Sequence, residues 1–205
     1  MSKPQFKITN IDLFTLVNTL FFLWLCYAAY FDRFIHYRGR EYLWEFFVYA
    51  ISILIVMLIA WKTTRLLPTP TWLLILVQTG IVMHFAGGLA IWHESRLYDK
   101  IIFGIRYDKY VHLVNGFMGG VLLYKLYFEK LNLKWWIKDL QLMMMMLGIG
   151  AVVEIVEYLV TLTVAINGVG DYDNNMQDII SNFIGTAISI SGIRIMNIIK
   201  GKQGR

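Results

Sequence analysis

Polar side chains recur at helical spacing inside one apolar segment near the middle of the chain. Asp108, His112 and Asn115 follow one another at i, i+4 and i+7, which places them on one stripe of a helix. A carboxylate and an imidazole on one face can transfer protons or bind a divalent cation. Arg106 and Lys109 lie beside them and can receive an anionic group such as a phosphate.

Three other apolar segments also carry polar or ionisable residues. Glu154 and Glu157 lie within one of them, Asp178 and Asn182 open the last one, and His84 lies in an earlier one. An acidic residue at mid-membrane costs roughly 2.5 to 3.5 kcal/mol on insertion scales. Each buried carboxylate therefore needs a proton, a charged partner or a metal ion. These residues are the strongest functional candidates in the sequence.

The elements that must position these residues are membrane helices. The chain is 58% hydrophobic and 16% charged, whereas a soluble domain has about 45 to 50% and about 25%. About 20 apolar residues are needed to cross a hydrocarbon core of about 30 Å. We predict an all-α, polytopic membrane helical bundle of about six transmembrane helices, with residues 1–205 forming a single integral membrane domain. The six apolar runs are 11–30, 44–61, 71–92, 110–127, 140–163 and 179–199.

The distribution of basic residues predicts the orientation of these helices. The formal net charge is +5, and alternating the connections between two sides gives 12 Lys and Arg on the side of the N-terminus and 7 on the other. By the positive-inside rule both termini are cytoplasmic. The basic excess therefore indicates orientation and contact with anionic membrane lipids, and we expect no nucleic-acid partner.

This topology brings the polar residues to one depth. The third and fifth helices end on the outer side, whereas the fourth and sixth begin there. We therefore expect one outward-facing cavity, and we expect His84 and Glu154 to lie within reach of each other, directly or through water. The residues expected to line the cavity are Asp108, His112, Glu154, Glu157, Asp178 and Asn182.

The segment from Asp171 has the Asp-x-Asp-x-Asn beginning of a calcium loop. An EF-hand is excluded because Met176 stands where that loop requires glycine and Asn182 where it requires glutamate. Asp178 instead suits the positive end of the last helix dipole. Cys26 is the only cysteine, which excludes an intrachain disulfide and a thiolate metal cluster.

The ordered motifs resemble those of a known family. The pattern Asp-Lys-x-x-His at residues 108–112, the acidic helix with Glu154 and Glu157, and the pattern Asp-x-x-x-Asn-x-x-Gly at residues 178–185 resemble the YjdF-like family of bacterial inner-membrane proteins. The combination is similar, more distantly, to the VanZ-like proteins linked to glycopeptide resistance. The resemblance implies a multi-pass fold in the bacterial inner membrane and carries no settled activity.

Three functions compete. The first is an enzyme that acts on the phosphate or headgroup of an envelope lipid, with a divalent metal ion as a candidate cofactor. The second is a proton-coupled transporter in which His84 and Glu154 form a relay. The third is a lipid-binding or accessory protein without turnover. For the enzyme, the candidate catalytic residues are Glu154, Glu157, Asp108 and His112, the candidate substrate-binding residues are Arg106, Lys109, Asn115 and Asn182, and the candidate metal ligands are His84, His112 and Asp178.

The predicted orientation can be tested by cysteine labelling from outside the cell. A cysteine at position Asp173 should be labelled, and a cysteine at position Lys202 should not, because the model of six spans puts these positions on opposite sides. Labelling at Lys202 alone would reverse the orientation. Labelling at both positions would contradict the even number of spans.

Overall fold

The computed structural model describes residues 8–163 and 170–201. These residues fall into two compact units, divided between Leu74 and Ile75. Residues 167–169 of the predicted outer loop and the labelling position Lys202 lie outside the described residues.

The first unit is built from helices in sequence order. Helix α1, which begins at Asn10, opens with a capping box, in which Thr9 and Asp12 exchange hydrogen bonds between side chain and backbone. The Asp12 carboxylate also accepts hydrogen bonds from Trp61 Nε1 at 2.7 Å and Arg65 Nε at 2.9 Å, and so ties the end of α3 to the start of α1. The elements are α1 (Asn10–Leu25), a π-helical turn (Cys26–Tyr30), α2 (Phe31–Arg38), a 3-10 turn (Arg40–Tyr42) and α3 (Leu43–Thr64).

The second unit contains the polar helices. Helix α4 crosses the division, and two short antiparallel hairpins connect it to α5, with Ile91 opposite Arg96 and Ile101 opposite Arg106. The elements are α4 (Thr71–Leu89), β1 (Ile91–Trp92), β2 (Ser95–Arg96), β3 (Ile101–Ile102), β4 (Ile105–Arg106), α5 (Tyr107–Leu126), α6 (Trp135–Thr163) and α7 (Tyr172–Ile199).

The prediction of an all-α membrane bundle is confirmed. Within residues 8–163 and 170–201, five stretches are long and apolar enough to span a membrane: Asn10–His36, Arg40–Thr64, Thr71–Leu89, Trp135–Leu159 and Tyr172–Ile199. Helix α5 has 20 residues but is not among the five. Its first two turns carry the charged and polar residues singled out above, which lower its apolar character.

Two of the differences between predicted and observed helix ends affect the site or its hairpins. Helix α7 begins at Tyr172 with Asp171 as its N-cap, whose carboxylate accepts from the Asn174 backbone N–H at 2.9 Å. Asp178 therefore lies in the second turn of α7, and its predicted place at the helix start is wrong. Helix α4 ends at Leu89, short of the predicted end at 92, because the next residues turn into the first hairpin.

Glycines bring α5 and α7 into close contact. The contact between α5 and α7 is the most extensive contact between any two of the described elements. A Cβ at Gly116 would lie 2.5 Å from the Asn182 carbonyl oxygen, and one at Gly185 would lie 2.0 Å from the Leu113 carbonyl oxygen. A Cβ at Gly120 would lie 2.2 Å from Ser189 Oγ. Gly116, Gly120 and Gly185 thus permit this close approach, as small residues do in membrane helices.

This packing predicts opposite results for two glycines of α7. Gly185→Ala should destabilise the protein by about 1 to 3 kcal/mol, because the methyl group would meet backbone atoms that cannot move aside. Gly192→Ala is the matched control, since a Cβ there meets no described atom within 4 Å. Thermal unfolding in detergent should show a lower midpoint for Gly185→Ala only. Equal midpoints for both variants would contradict the close contact.

Candidate functional site

A cavity of about 520 Å³ lies within the second unit. Its lining changes from charged to apolar along α5, from Asp108 through His112 and Asn115 to Leu122. These residues span about 21 Å of helix at about 1.5 Å per residue. Helix α6 shows the same order in reverse, because Glu157 lines the polar end and Met146 lines the apolar end. The cavity therefore has one charged end and one apolar end.

The Lys109 ammonium organises the charged end. Lys109 is 5% exposed, and its Nζ lies 2.7 Å from Asp178 Oδ1 and 3.2 Å from Asp108 Oδ2. It also donates to the backbone oxygen of Asn174 at 2.9 Å and to Asn174 Oδ1 at 2.8 Å. The Asn174 amide nitrogen in turn donates to Asp178 Oδ2 at 2.9 Å. This network joins the first turn of α5 to the first two turns of α7.

Two arginines from the hairpins lie at the charged end of the cavity. Arg106 donates to Asn174 Oδ1 at 2.9 Å and to Asp99 Oδ1 at 3.0 Å. Arg96 donates to both oxygens of Asp99, at 2.9 and 3.2 Å. Arg106 Nε lies 4.0 Å from Asp108 Oδ1, an ion pair without a hydrogen bond. The side chains of Arg96, Asp99 and Arg106 are about a third exposed, so this end is accessible to an anion.

His112 links α5 to α7 one turn below Lys109. Its Nε2 lies 3.4 Å from Asp178 Oδ1, and its Nδ1 lies 3.3 Å from the Asn182 amide nitrogen. The Asn182 amide can donate to Nδ1 through its nitrogen or, turned over, accept from Nδ1–H through its oxygen, so this contact is satisfied in either imidazole tautomer. The histidine is thus held in one orientation within the cavity wall.

Glu154 has a different environment from Glu157. Glu154 is 7% exposed, and neither of its carboxylate oxygens has a hydrogen-bond partner among residues 8–163 and 170–201. Ligand atoms of Glu154, His112 and Asp178 lie within 4.8 Å of one another. Glu157 lines the cavity and is half-buried. The two glutamates therefore differ in both burial and surroundings.

His84 also lines the cavity, and it pairs with a tyrosine. The His84 Nδ1 atom lies 2.6 Å from the Tyr98 hydroxyl. No direct hydrogen bond joins it to Glu154, whose oxygens have no partner in the described part of the chain. The group that could bind a metal consists of His112, Glu154 and Asp178, and does not include His84.

Comparison with known proteins places the chain in a family. Residues 13–197 match the model of a family described as "Predicted membrane protein (DUF2238)". The chain belongs to the DUF2238 family. Neither the search of curated proteins nor the search of solved structures gave a significant match.

In this DUF2238 protein the structure brings together most of the residues singled out in the sequence, all within the second unit. The sequence-predicted residues in the cavity wall are His84, Arg106, Asp108, His112, Asn115, Glu157, Asp178 and Asn182. Glu154 lies next to His112 and Asp178 without lining the cavity, and Lys109 is buried behind the wall within its network.

The sequence interpretation missed four residues of the site: Arg96, Tyr98, Asp99 and Asn174. A signal existed for Asn174, which precedes Asp178 by four residues and therefore shares its helix face once α7 is extended to Tyr172. The other three lie in and beside the hairpins, where turns rather than periodicity place the side chains.

The Lys109 network predicts a large loss of stability on removal of its charge. Lys109→Met should destabilise the protein by about 3 to 5 kcal/mol, because Asp108 and Asp178 would remain buried without their shared cation. Lys125→Met is the matched control on the same helix, since Lys125 forms a partly exposed pair with Glu129, of a kind that contributes about 0.5 kcal/mol. Unfolding in detergent should separate the two variants clearly. A Lys109→Met protein as stable as the control would contradict this role.

Proposed function

We propose that this DUF2238 protein is a bacterial inner-membrane enzyme that acts on the phosphate or headgroup of an envelope lipid. In this proposal residues 1–205 form one integral membrane domain, α5 is a sixth membrane-crossing helix, and both termini are cytoplasmic. Wider kinship with the YjdF-like and, more distantly, the VanZ-like proteins is part of the same proposal. The polar motifs shared with them fall on the helices of the cavity.

The observation that supports this function best is the ordered lining of the cavity. A membrane lipid has a charged headgroup and apolar chains, and the cavity presents charged residues at one end and Leu122, Leu123 and Met146 at the other. A volume of about 520 Å³ lies within the range of about 300 to 1,000 Å³ typical of small-molecule sites. The cavity can thus hold a headgroup with the adjoining part of its chains.

The two arginines suit an anionic headgroup. Arg96 and Arg106 share Asp99, lie at the charged end and keep part of their surface accessible. Guanidinium groups bind phosphate in a planar, two-pronged geometry. We therefore assign phosphate recognition to these two residues. Lys109 instead holds Asp108 and Asp178 in place, because it is buried and already bonded to both.

The acid and base roles fall to residues that line the cavity. Glu157 extends into the lining from α6, and His112 is oriented by Asp178 and Asn182. A positioned carboxylate can accept a proton from water, and a positioned imidazole can pass one to a leaving group. In this proposal Glu157 is the general base and His112 the general acid.

A second candidate is a lipid-binding protein without turnover. It is favoured by the network in which Lys109, Asn174 and Asp178 satisfy one another, as a structural network would. The transporter alternative has less support, because the described residues at the far end of the cavity are Leu122, Leu123 and Met146, which offer no polar group to a proton or an ion.

The lipid-binding part of the proposal is tested by native mass spectrometry of the protein in detergent. The wild type should retain a phospholipid. Val153→Trp should lower the retained fraction, because Val153 lines the cavity and the indole would occupy its volume. Val152→Trp is the matched control, since Val152 is a neighbouring valine that does not line it. Equal retention by the two variants would contradict lipid binding in the cavity.

The enzymatic part of the proposal is tested by measuring the membrane lipid profile of bacteria that overproduce the protein. Overproduction of the wild type should change the amount of at least one anionic lipid, whereas Glu157→Gln should not, because the amide keeps the shape and removes the base. Glu129→Gln is the control, since this exposed residue pairs with Lys125 away from the cavity. Retained lipid with an unchanged wild-type profile would favour the accessory function.

A further inference from the structure

The charged end of the cavity contains more acidic than basic groups. Among the described residues, three basic side chains, Arg96, Arg106 and Lys109, lie at this end or directly behind its wall, together with five carboxylates. At formal charge this leaves an excess of two negative charges in a region of low dielectric constant, where like charges repel strongly. The carboxylates are those of Asp99, Asp108, Glu154, Glu157 and Asp178.

Glu154 has two buried carboxylate oxygens, and the described protein groups satisfy neither of them. Both of its oxygens are inaccessible and have no hydrogen-bond partner within residues 8–163 and 170–201. A buried acceptor without a partner costs about 1 to 3 kcal/mol, and more when it is charged. One potential ligand atom each of Glu154, His112 and Asp178 lies within 4.8 Å of the other two.

Lys109 does not have the capacity to satisfy Glu154. An ammonium group has three donor hydrogens, and Lys109 Nζ already has four oxygen partners within 3.2 Å, from Asp108, Asn174 and Asp178. The His112 Nε2 atom lies 3.4 Å from Asp178 Oδ1, and His112 makes no hydrogen bond with Glu154. The cation of Lys109 is therefore shared among the other acceptors, and the position between Glu154, His112 and Asp178 lacks a positive charge of its own.

We propose that His112, Glu154 and Asp178 bind a divalent transition-metal ion, with Zn²⁺ and Mn²⁺ as the ions to test. One imidazole and two carboxylates are ligands that these ions accept, whereas Mg²⁺ and Ca²⁺ prefer oxygen ligands alone. A charge of +2 would also balance the excess of two negative charges. His112 and Asp178 line the cavity, so the ion would be accessible from it.

The inference rests on the proposed function only in the role that it gives the ion. A divalent cation at the wall of a headgroup site would polarise a phosphoryl oxygen or lower the pKa of bound water. Glu154 and His112 would then be metal ligands, which replaces the general-acid role given to His112 above, and Glu157 would remain the base. This assignment explains why two glutamates three residues apart have different environments. Binding of the ion itself is a property of the protein that can be measured without any substrate.

The experiment uses the full chain, purified in detergent and stripped of metal with a chelator, and measures binding of Mn²⁺ and Zn²⁺. Bound metal is counted by elemental analysis, and the shift of the unfolding midpoint is followed on titration. The wild type should bind one ion per chain with a rise in midpoint. Glu154→Gln should weaken binding by at least about tenfold. Glu157→Gln should bind as the wild type does, because Glu157 lies outside the ligand group.

Three outcomes would overturn the site. If the wild type binds neither ion and Glu154→Gln is equally or more stable, Glu154 carries a proton, which the neutral amide imitates. If an ion binds but Glu154→Gln does not weaken it, the ion is bound elsewhere. If Glu154→Gln does not accumulate, His112→Asn provides the comparison, and unchanged binding by that variant also refutes the site. Lipid retention by the wild type distinguishes failure of the metal site from failure of the proposed function.

Discussion

The buried ion pair between Lys109 and Asp178 is the interaction on which the second unit depends. A lysine ammonium and an aspartate carboxylate meet at 2.7 Å with side chains that are 6% and 3% exposed. Desolvation of two charges is costly, and the cost is recovered only when further hydrogen bonds satisfy them. Asp108 and Asn174 supply these bonds from α5 and α7. The pair therefore fixes the register of one helix against the other.

The close approach of α5 and α7 makes that pair possible. Lysine and aspartate side chains can meet at this distance because Gly116 and Gly185 let the two backbones come together without an intervening Cβ. Helix α5 is also too polar to be among the five candidate spans, so its charged turns are stable in a bilayer only when α7 covers them. Packing and charge pairing thus depend on each other here. Without the close packing the two charges could not meet, and without the pairing the packed helices would bury an unpaired charge.

Much of this arrangement could be predicted from the sequence because it follows helical periodicity. The polar stripe of α5 and the close-packed glycines required only a spacing of three or four residues. The site of Asp99 and Tyr98 could not be predicted, because hairpins with two-residue strands leave no periodic pattern. The predicted starts of α6 and α7 lie too far inward, since the apolar runs begin only after the amphipathic first turns. Asn174 was missed for that reason.

The different environments of Glu154 and Glu157 show where periodicity stops being informative. Residues at i and i+3 share a side of a helix but differ by about 60° in direction, at about 100° per residue. That difference turns Glu157 into the cavity wall and Glu154 toward His112 and Asp178, out of contact with the cavity. No property of α6 alone selects between the two orientations. The neighbours of α6 decide it, because α5 and α7 carry His112 and Asp178, the polar groups that lie beside Glu154.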